Sequence, residues 1–223
     1  MTRLYVVVEG PTEETFVEAL LRPALLDSGV VLTGPIVMHG DVRYGRLKSL
    51  VVKLLKSDPT AFCTTFIDYY GRRSAFPGED AIGIFDPASK KKTTLEAAFY
   101  ADVGQDLGRR FDATRFIPYI QMYEFEGLLF SDPGGCATGL YKPELALPLQ
   151  AIRAQFATPE DINDDKTTAP SKRILELFPG YDKPAGGTLA ALSIGLEQIR
   201  ANCPLFNGWV ARLAQLGNPS SIE

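Results

Sequence analysis

The stretch that decides the fold is LYVVVEGPTEETF, residues 4–16, in which a run of apolar β-formers ends in Glu9 followed by Gly10-Pro11. Leu4 to Val8 reads as a buried strand, and Thr12 then offers an N-cap to an amphipathic helix whose face is Phe16, Leu20, Leu21 and Leu25. That is strand, turn, helix. A carboxylate at the tip of a buried strand is costly unless it is paired, metal-bound or open to water, so Glu9 has a partner or a task. Working outward, residues 30–38 form a second apolar stretch that contains Gly34-Pro35, which marks a broken or edge strand. RLKSLVVKLLKS, residues 46–57, has helical spacing from Leu47 to Leu55. AFCTTFID, residues 61–68, reads as a buried strand ending in Asp68; TTLEAAFYADVGQDL, residues 93–107, reads as a helix capped by Thr93 or Thr94. RFIPYIQ, residues 115–121, is a fourth strand candidate that leads into MYEFEGLLFSD.

Strands alternating with helices predict an α/β fold with a mainly parallel sheet flanked by helices, and in such sheets ligands sit beyond the carboxyl ends of the strands. Glu9, Asp68 and the pair Glu124/Glu126 all follow strand ends, so three sequence-distant acidic positions are expected on one edge. Beyond residue 135 the pattern changes to short helical segments divided by Pro and Gly. The expected division is an α/β core over 1–135 and a helical cap over 136–223, packed together as one unit.

Composition narrows the chemistry. With 223 residues and 45% hydrophobic content the chain can bury one good core, and no apolar run approaches the roughly 20 residues a bilayer span requires. A cytoplasmic location is expected. Cys63, Cys136 and Cys203 stand far apart, so neither a disulfide framework nor a zinc knuckle is indicated. The only histidine is His39, which excludes sites of two or three histidines within one chain and leaves no obvious catalytic triad. GPTEET lacks the lysine of a Walker loop. Catalysis, where present, therefore falls to carboxylates, whose hard oxygens suit Mg2+ or Mn2+. Several carboxylates at one site are stable when ionised only if a cation offsets them, and such a site supports phosphodiester cleavage.

Each candidate has a plainer explanation beside the functional one. Glu13 can point back to the ion at Glu9, or can serve with Glu14 as favourable charge in a helix first turn. Asp68 can be a turn residue before Gly71, and Tyr69 and Tyr70 read as topoisomerase-type nucleophiles or as packing residues. Phe125, Leu128 and Leu129 are expected to anchor in the core, leaving Glu124 or Glu126 facing the site. Lys172, Arg173 and Lys183 are candidate phosphate clamps, although a helix capped by Ser171 also explains the first two. The formal charge of −4 argues against a broad basic face, and the clusters Arg72-Arg73, Lys90-Lys91-Lys92 and Arg109-Arg110 are either phosphate contacts or solvated surface.

The motifs VEGPTEE, TTFIDYYG, RFIPYIQMYEFEGLLFSD, PEDIND, TAPSKRI, GYDK and IGLEQIRANCPLFNGWV together resemble the bacterial family of domain of unknown function 4276 over nearly the whole chain. The strand ending in Glu-Gly and the FIDYYG segment are similar to the first two motifs of Toprim domains, and the Glu-x-Glu is similar to the third acidic position of Toprim nucleases of the overcoming-lysogenization-defect type. That resemblance implies a Rossmann-like sheet, magnesium binding and action on nucleic-acid phosphodiesters. It implies Glu9 as general acid/base or metal-bound glutamate, Asp68 as first metal aspartate and Glu126 as later acidic ligand, with Glu13 and Glu124 as further candidate ligands. Tyr70 stands where the usual second aspartate would be. The implied function is a metal-dependent nuclease in bacterial defence or repair beside an ABC- or SMC-like ATPase; the resemblance does not by itself choose between the nucleic acids, and DNA is expected over RNA. Lys172 would assist at phosphate. The competing readings are a non-catalytic nucleic-acid-binding or regulatory module and an enzyme acting on nucleotides or small phosphoesters.

Overall fold

The computed structural model describes residues 1–40, 42–72, 75–109, 112–163 and 167–217. β1 (Thr2–Val8) pairs in parallel with β2 (Val30–Val37) on one side and β3 (Phe62–Asp68) on the other. β3 in turn pairs in parallel with β4 (Phe116–Ile117) and β5 (Ile120–Gln121), giving the order β2-β1-β3-β4 with β5 also on β3. The protein is thus α/β with a mainly parallel five-stranded sheet. β1 is apolar on both faces because both are covered: Leu4, Val6 and Val8 enter one cluster and Val7 the other.

Between the strands run α1 (Pro11–Phe16), a π turn over Val17–Leu21, α2 (Arg22–Asp27), α3 (Tyr44–Ser57) and α4 (Ala88–Leu107). α3 and α4 cover one face, where Val51, Leu55, Leu95, Phe99 and Val103 meet Cys63, Ile67, Phe116 and Ile120. The second half supplies α5 (Pro133–Gly139), α6 (Ala146–Arg153), α7 (Pro170–Leu177), α8 (Thr188–Ile194), α9 (Leu196–Asn202) and α10 (Pro204–Gln215). Phe206, Trp209, Val210 and Leu213 of α10 share the opposite cluster with Leu4, Val6 and Phe66, so the C-terminal helices complete the sheet's own core. α5 runs across the expected division at 135/136. All three cysteines are free and buried. Among the described residues no helix is long and apolar enough to cross a membrane.

Five local features have physical reasons, the first of them the broken or edge strand expected at Gly34-Pro35. β2 is an edge strand, and its pairing with β1 slips between Leu4 and Val6, where Gly34 adopts φ 103° ahead of Pro35. The fourth strand is split at Pro118, which has no N–H for the ladder. The Thr65 hydroxyl bridges the gap: it accepts from Tyr119 N and donates to Tyr119 O, both at 2.9 Å. α1 begins at Pro11 with Gly10 as its cap, not Thr12, because the Glu13 carboxylate accepts from Gly10 N at 3.0 Å. Likewise α4 begins at Ala88 behind Pro87 rather than at Thr93 or Thr94; Lys91 donates to Ile84 O and Lys92 pairs with Glu96 at 2.7 Å, so the lysine run continues the helix. At α7 the cap position is Ala169, and Ser171 uses its N–H elsewhere.

Candidate functional site

Parallel strands deliver their carboxyl ends to one edge, and this edge collects the acidic residues. Glu9 follows β1, and its Oε2 accepts from Asp68 N at 3.1 Å, which ties the ends of β1 and β3 together. The space for this carboxylate exists because residue 71 is glycine: a Cβ there would lie 2.5 Å from the Glu9 carboxyl carbon. Asp68 ends β3 with 2% exposure. Glu13, one turn into α1, is also buried and turns back towards the same edge. Glu126 sits in the first turn of a 3-10 helix over Phe125–Ser131 and is fully buried, because Phe125, Leu128 and Leu129 around it are core residues.

In the middle stands Lys183. Its Nζ lies 2.8 Å from Asp68 Oδ2, 3.2 Å from Glu126 Oε2 and 3.8 Å from Glu13 Oε1. It enters from a π turn over Lys183–Gly187, and Tyr181, just before it, donates to Glu126 Oε1 at 3.3 Å. Burial alone would lower the ammonium pKa, but Asp68, Glu126 and Glu13 outweigh it and hold the group well above its ordinary range. Burial, reinforced by Asp68, pushes the Glu9 and Glu13 carboxyls up to about 7. Burial also raises Glu126 to about 7, against the pull of Lys183. One ammonium therefore does not fully offset the carboxylates around it, and near neutral pH the centre retains protons.

Three buried oxygens of the centre, Glu13 Oε1, Asp68 Oδ1 and Glu126 Oε2, accept no well-formed hydrogen bond, although the Lys183 ammonium stands 3.2 Å from Glu126 Oε2 and 3.8 Å from Glu13 Oε1. Buried carboxylate oxygens left this way are uncommon and call for a further positive partner. Their donor chemistry suits a hard divalent cation. Among the described residues, however, no group of three or more His, Cys, Asp or Glu side chains is arranged to hold a metal ion, and the cation present is Lys183. Of the other positions singled out from sequence, Glu124 is half-buried and its Oε2 accepts from Ser171 N at 2.8 Å, securing the start of α7. Lys172 is exposed beside it, and Arg173 lies over the Phe156 ring while its Nε donates to Thr168 O at 2.8 Å.

The basic clusters mostly dissolve into structure. Arg72 packs its guanidinium over Tyr69 and Phe76 and pairs with Glu79 at 3.0 Å. Arg73 and Arg110 lie outside the described residues. Lys183 was placed by its sequence among phosphate clamps; its position inside the carboxylate cluster, and the part of Tyr181, carried no local signal beyond a Tyr-x-Lys ahead of a Gly-rich turn.

Residues 8–214 match a domain of unknown function, DUF4276. The chain belongs to the DUF4276 family. The matched region opens one residue before Glu9 and closes within α10, so the DUF4276 unit contains Glu9, Glu13, Asp68, Glu126 and Lys183, together with the helices that fold back to deliver the lysine. No curated protein and no solved structure matches the chain. For this DUF4276 protein the chemistry of the centre must therefore carry the functional reading.

Proposed function

We propose that this DUF4276 chain is a divalent-metal-dependent phosphodiester hydrolase, a nuclease of Toprim-like type, with Glu9, Asp68 and Glu126 at its centre. The observation that carries the reading is the convergence of acidic side chains from separate strand ends with three buried carboxylate oxygens that accept no well-formed hydrogen bond. Bound Mg2+ or Mn2+ would offset their charge, lower the pKa of a water and stabilise the leaving oxygen. Asp68, Glu126 and Glu13 would hold it only once their side chains turn to a common point and Lys183 gives way, since as they stand they are not arranged around a metal ion. Glu9, half-buried and raised to about 7, is suited to take a proton and return it near neutral pH. Lys183 presents a fixed ammonium towards the same point and would face a phosphate oxygen once a metal shares its carboxylates. Lys172 and Arg173, at the start of α7 that the Glu124–Ser171 bond secures, would serve as phosphate contacts, Lys172 from its exposed position and Arg173 on leaving Thr168 O. DNA is favoured over RNA, and a cytoplasmic ATPase of ABC or SMC-like type is the partner suggested by the Toprim resemblance.

A second reading has its own support. Tyr70 in place of a second aspartate, and Lys183 already serving as counter-ion, favour a non-catalytic nucleic-acid-binding module that kept the fold without a working metal site. The deciding experiment is cleavage of plasmid, single-stranded DNA and RNA in Mg2+ or Mn2+ by wild type and by folded Glu9→Gln, Asp68→Asn and Glu126→Gln. Metal-dependent cleavage lost in all three supports the nuclease. Absence of cleavage, with no metal heat in calorimetry that depends on Glu126, selects the module.

A further inference from the structure

A nucleic acid can reach the acidic edge as a duplex or as a single strand, and the surroundings of Asp68 distinguish the two. Immediately after Asp68 the chain leaves β3 with Tyr69 N donating to Gln121 O and Tyr70 N to Tyr123 O, both at 2.9 Å. The three tyrosine rings gather there: centroids are 5.4 Å apart for Tyr69 and Tyr70, 5.8 Å for Tyr69 and Tyr123, and 5.7 Å for Tyr70 and Tyr123. Tyr123 adopts φ 60°, a region a bulky residue seldom enters, so its ring is placed at a cost in backbone strain.

Next to this cluster, Lys91 Nζ lies 5.9 Å from the Tyr123 ring centroid and donates to Ile84 O at 2.8 Å. The turn that carries Ile84 is closed by Gly83 N donating to Asp86 Oδ2 at 2.8 Å. These two bonds hold a tip on which Ile84 is 83% and Phe85 98% exposed. Adjacent large apolar side chains on an ordered turn contribute nothing to the core. Their exposure is explained by something that covers them.

We infer that the Phe85 tip and the half-buried Tyr69–Tyr70 pair, backed by the buried Tyr123 ring, form a stacking platform for unpaired bases, so that the chain engages single-stranded nucleic acid at its acidic edge. The inference takes its placement from the nuclease reading and deepens it by naming the substrate form. Bases in a duplex keep their faces covered, whereas a single strand offers them to aromatic rings with little regard to sequence. Duplex affinity comes mostly from cations against phosphate, and a chain of net charge −4 whose Arg72, Lys91 and Lys92 are engaged internally is poorly furnished for it. An apolar tip also suits a protein partner, but tyrosines directly following Asp68 favour bases.

The test is fluorescence anisotropy in EDTA, which prevents cleavage, with labelled oligo-dT, oligo-U and a blunt duplex of equal length. Wild type is expected to bind single strands about ten-fold or more tightly than duplex; Phe85→Ser and Tyr70→Ala should each weaken single-strand binding by roughly ten-fold or more, the loss of about one stacked base, and leave duplex binding within about two-fold. Phe85→Trp should retain single-strand binding. Phe85 is on the surface, so its variants fold even where Tyr70→Ala does not. Equal affinity for single strand and duplex, or unaltered single-strand affinity in Phe85→Ser, overturns the inference. A change of oligomeric state in Phe85→Ser without any change in oligonucleotide binding overturns it in favour of a protein contact. Because cleavage is not read, a chain that binds single strands without cutting them keeps this inference and loses the nuclease reading, and the reverse result separates them equally well.

Discussion

Glu126→Gln should make the metal-free protein more stable at alkaline pH while removing its response to divalent cations. Glu126 is fully buried, and burial, only partly countered by Lys183, raises its carboxyl from 4.5 to about 7. A carboxyl that holds its proton longer in the folded state than in the unfolded chain reduces stability as pH rises from 4.5 towards 7, because ionising the folded protein is the harder step. The shift of about 2.5 units at ~1.4 kcal/mol per unit amounts to about 3 kcal/mol once pH is well above 7, and to nearly nothing near pH 4. Glutamine keeps the shape without the charge and escapes this penalty. In EDTA at pH 8 the variant should therefore melt higher, by roughly 6–12 °C for a chain of this size, with the difference vanishing near pH 4. Wild type should rise with added Mn2+ as ligand linkage requires, and the variant should not. Thermal unfolding by circular dichroism at the two pH values, with and without Mn2+, reads both effects. A variant that is less stable at pH 8, by the same margin as at pH 4, would refute the reasoning and make Glu126 a structural partner of Lys183 and Tyr181.

The same geometry makes further demands. Gly71→Ala should displace the Glu9 carboxylate and so reduce any metal-dependent activity about as far as Glu9→Gln does, with the fold retained by circular dichroism, since the atoms nearest the added Cβ are those of the Glu9 carboxylate, a side-chain end that can turn away. Lys183→Met should cost about 3 kcal/mol at pH 8, where it leaves buried carboxylates without their cation, and less near pH 5, where Glu13 and Glu126 hold their protons; a loss independent of pH in urea unfolding would show that Lys183 acts by packing. On the alkaline side the raised ammonium keeps its contribution up to the ordinary lysine range and loses it only above that. Glu160→Ala removes the carboxylate that accepts from Leu205 N and Phe206 N at 2.7 Å and should cost about 2 kcal/mol by uncapping α10. The emission of Trp209, stacked on Tyr119 at 4.3 Å, reports that loss directly.

The legible part of this protein is what local apolarity dictates. Leu4 to Val8 and Phe62 to Asp68 are buried on both faces, so their ends could be read where an acid interrupts the run, and parallel pairing then forces Glu9 and Asp68 to one edge. Glu124 and Glu126 could not be told apart in the same way, because they differ by the turn of a short 3-10 helix whose register is set by the burial of Phe125, Leu128 and Leu129. The helix starts missed at Gly10 and Pro87 have different causes: at Gly10 the Glu13 carboxylate three residues on accepts the bond that a local cap was expected to accept, whereas the helix behind Pro87 starts without a side-chain cap and the lysine run, tied down by Lys91 to Ile84 O and Lys92 to Glu96, simply continues it. Lys183 was the hardest to place. Its 2.8 Å contact with Asp68 spans 115 residues of sequence and exists only because the C-terminal helices fold back onto the sheet to finish the core that β1 and β3 leave open. Hydrophobic burial by α10, with Trp209 donating to Thr64 at 2.9 Å, thus brings a cation to the acidic edge. The packing of the second half and the electrostatics of the first are one requirement, and a change that loosens α10 should raise the proton affinity of the carboxylates at the far end of the strands.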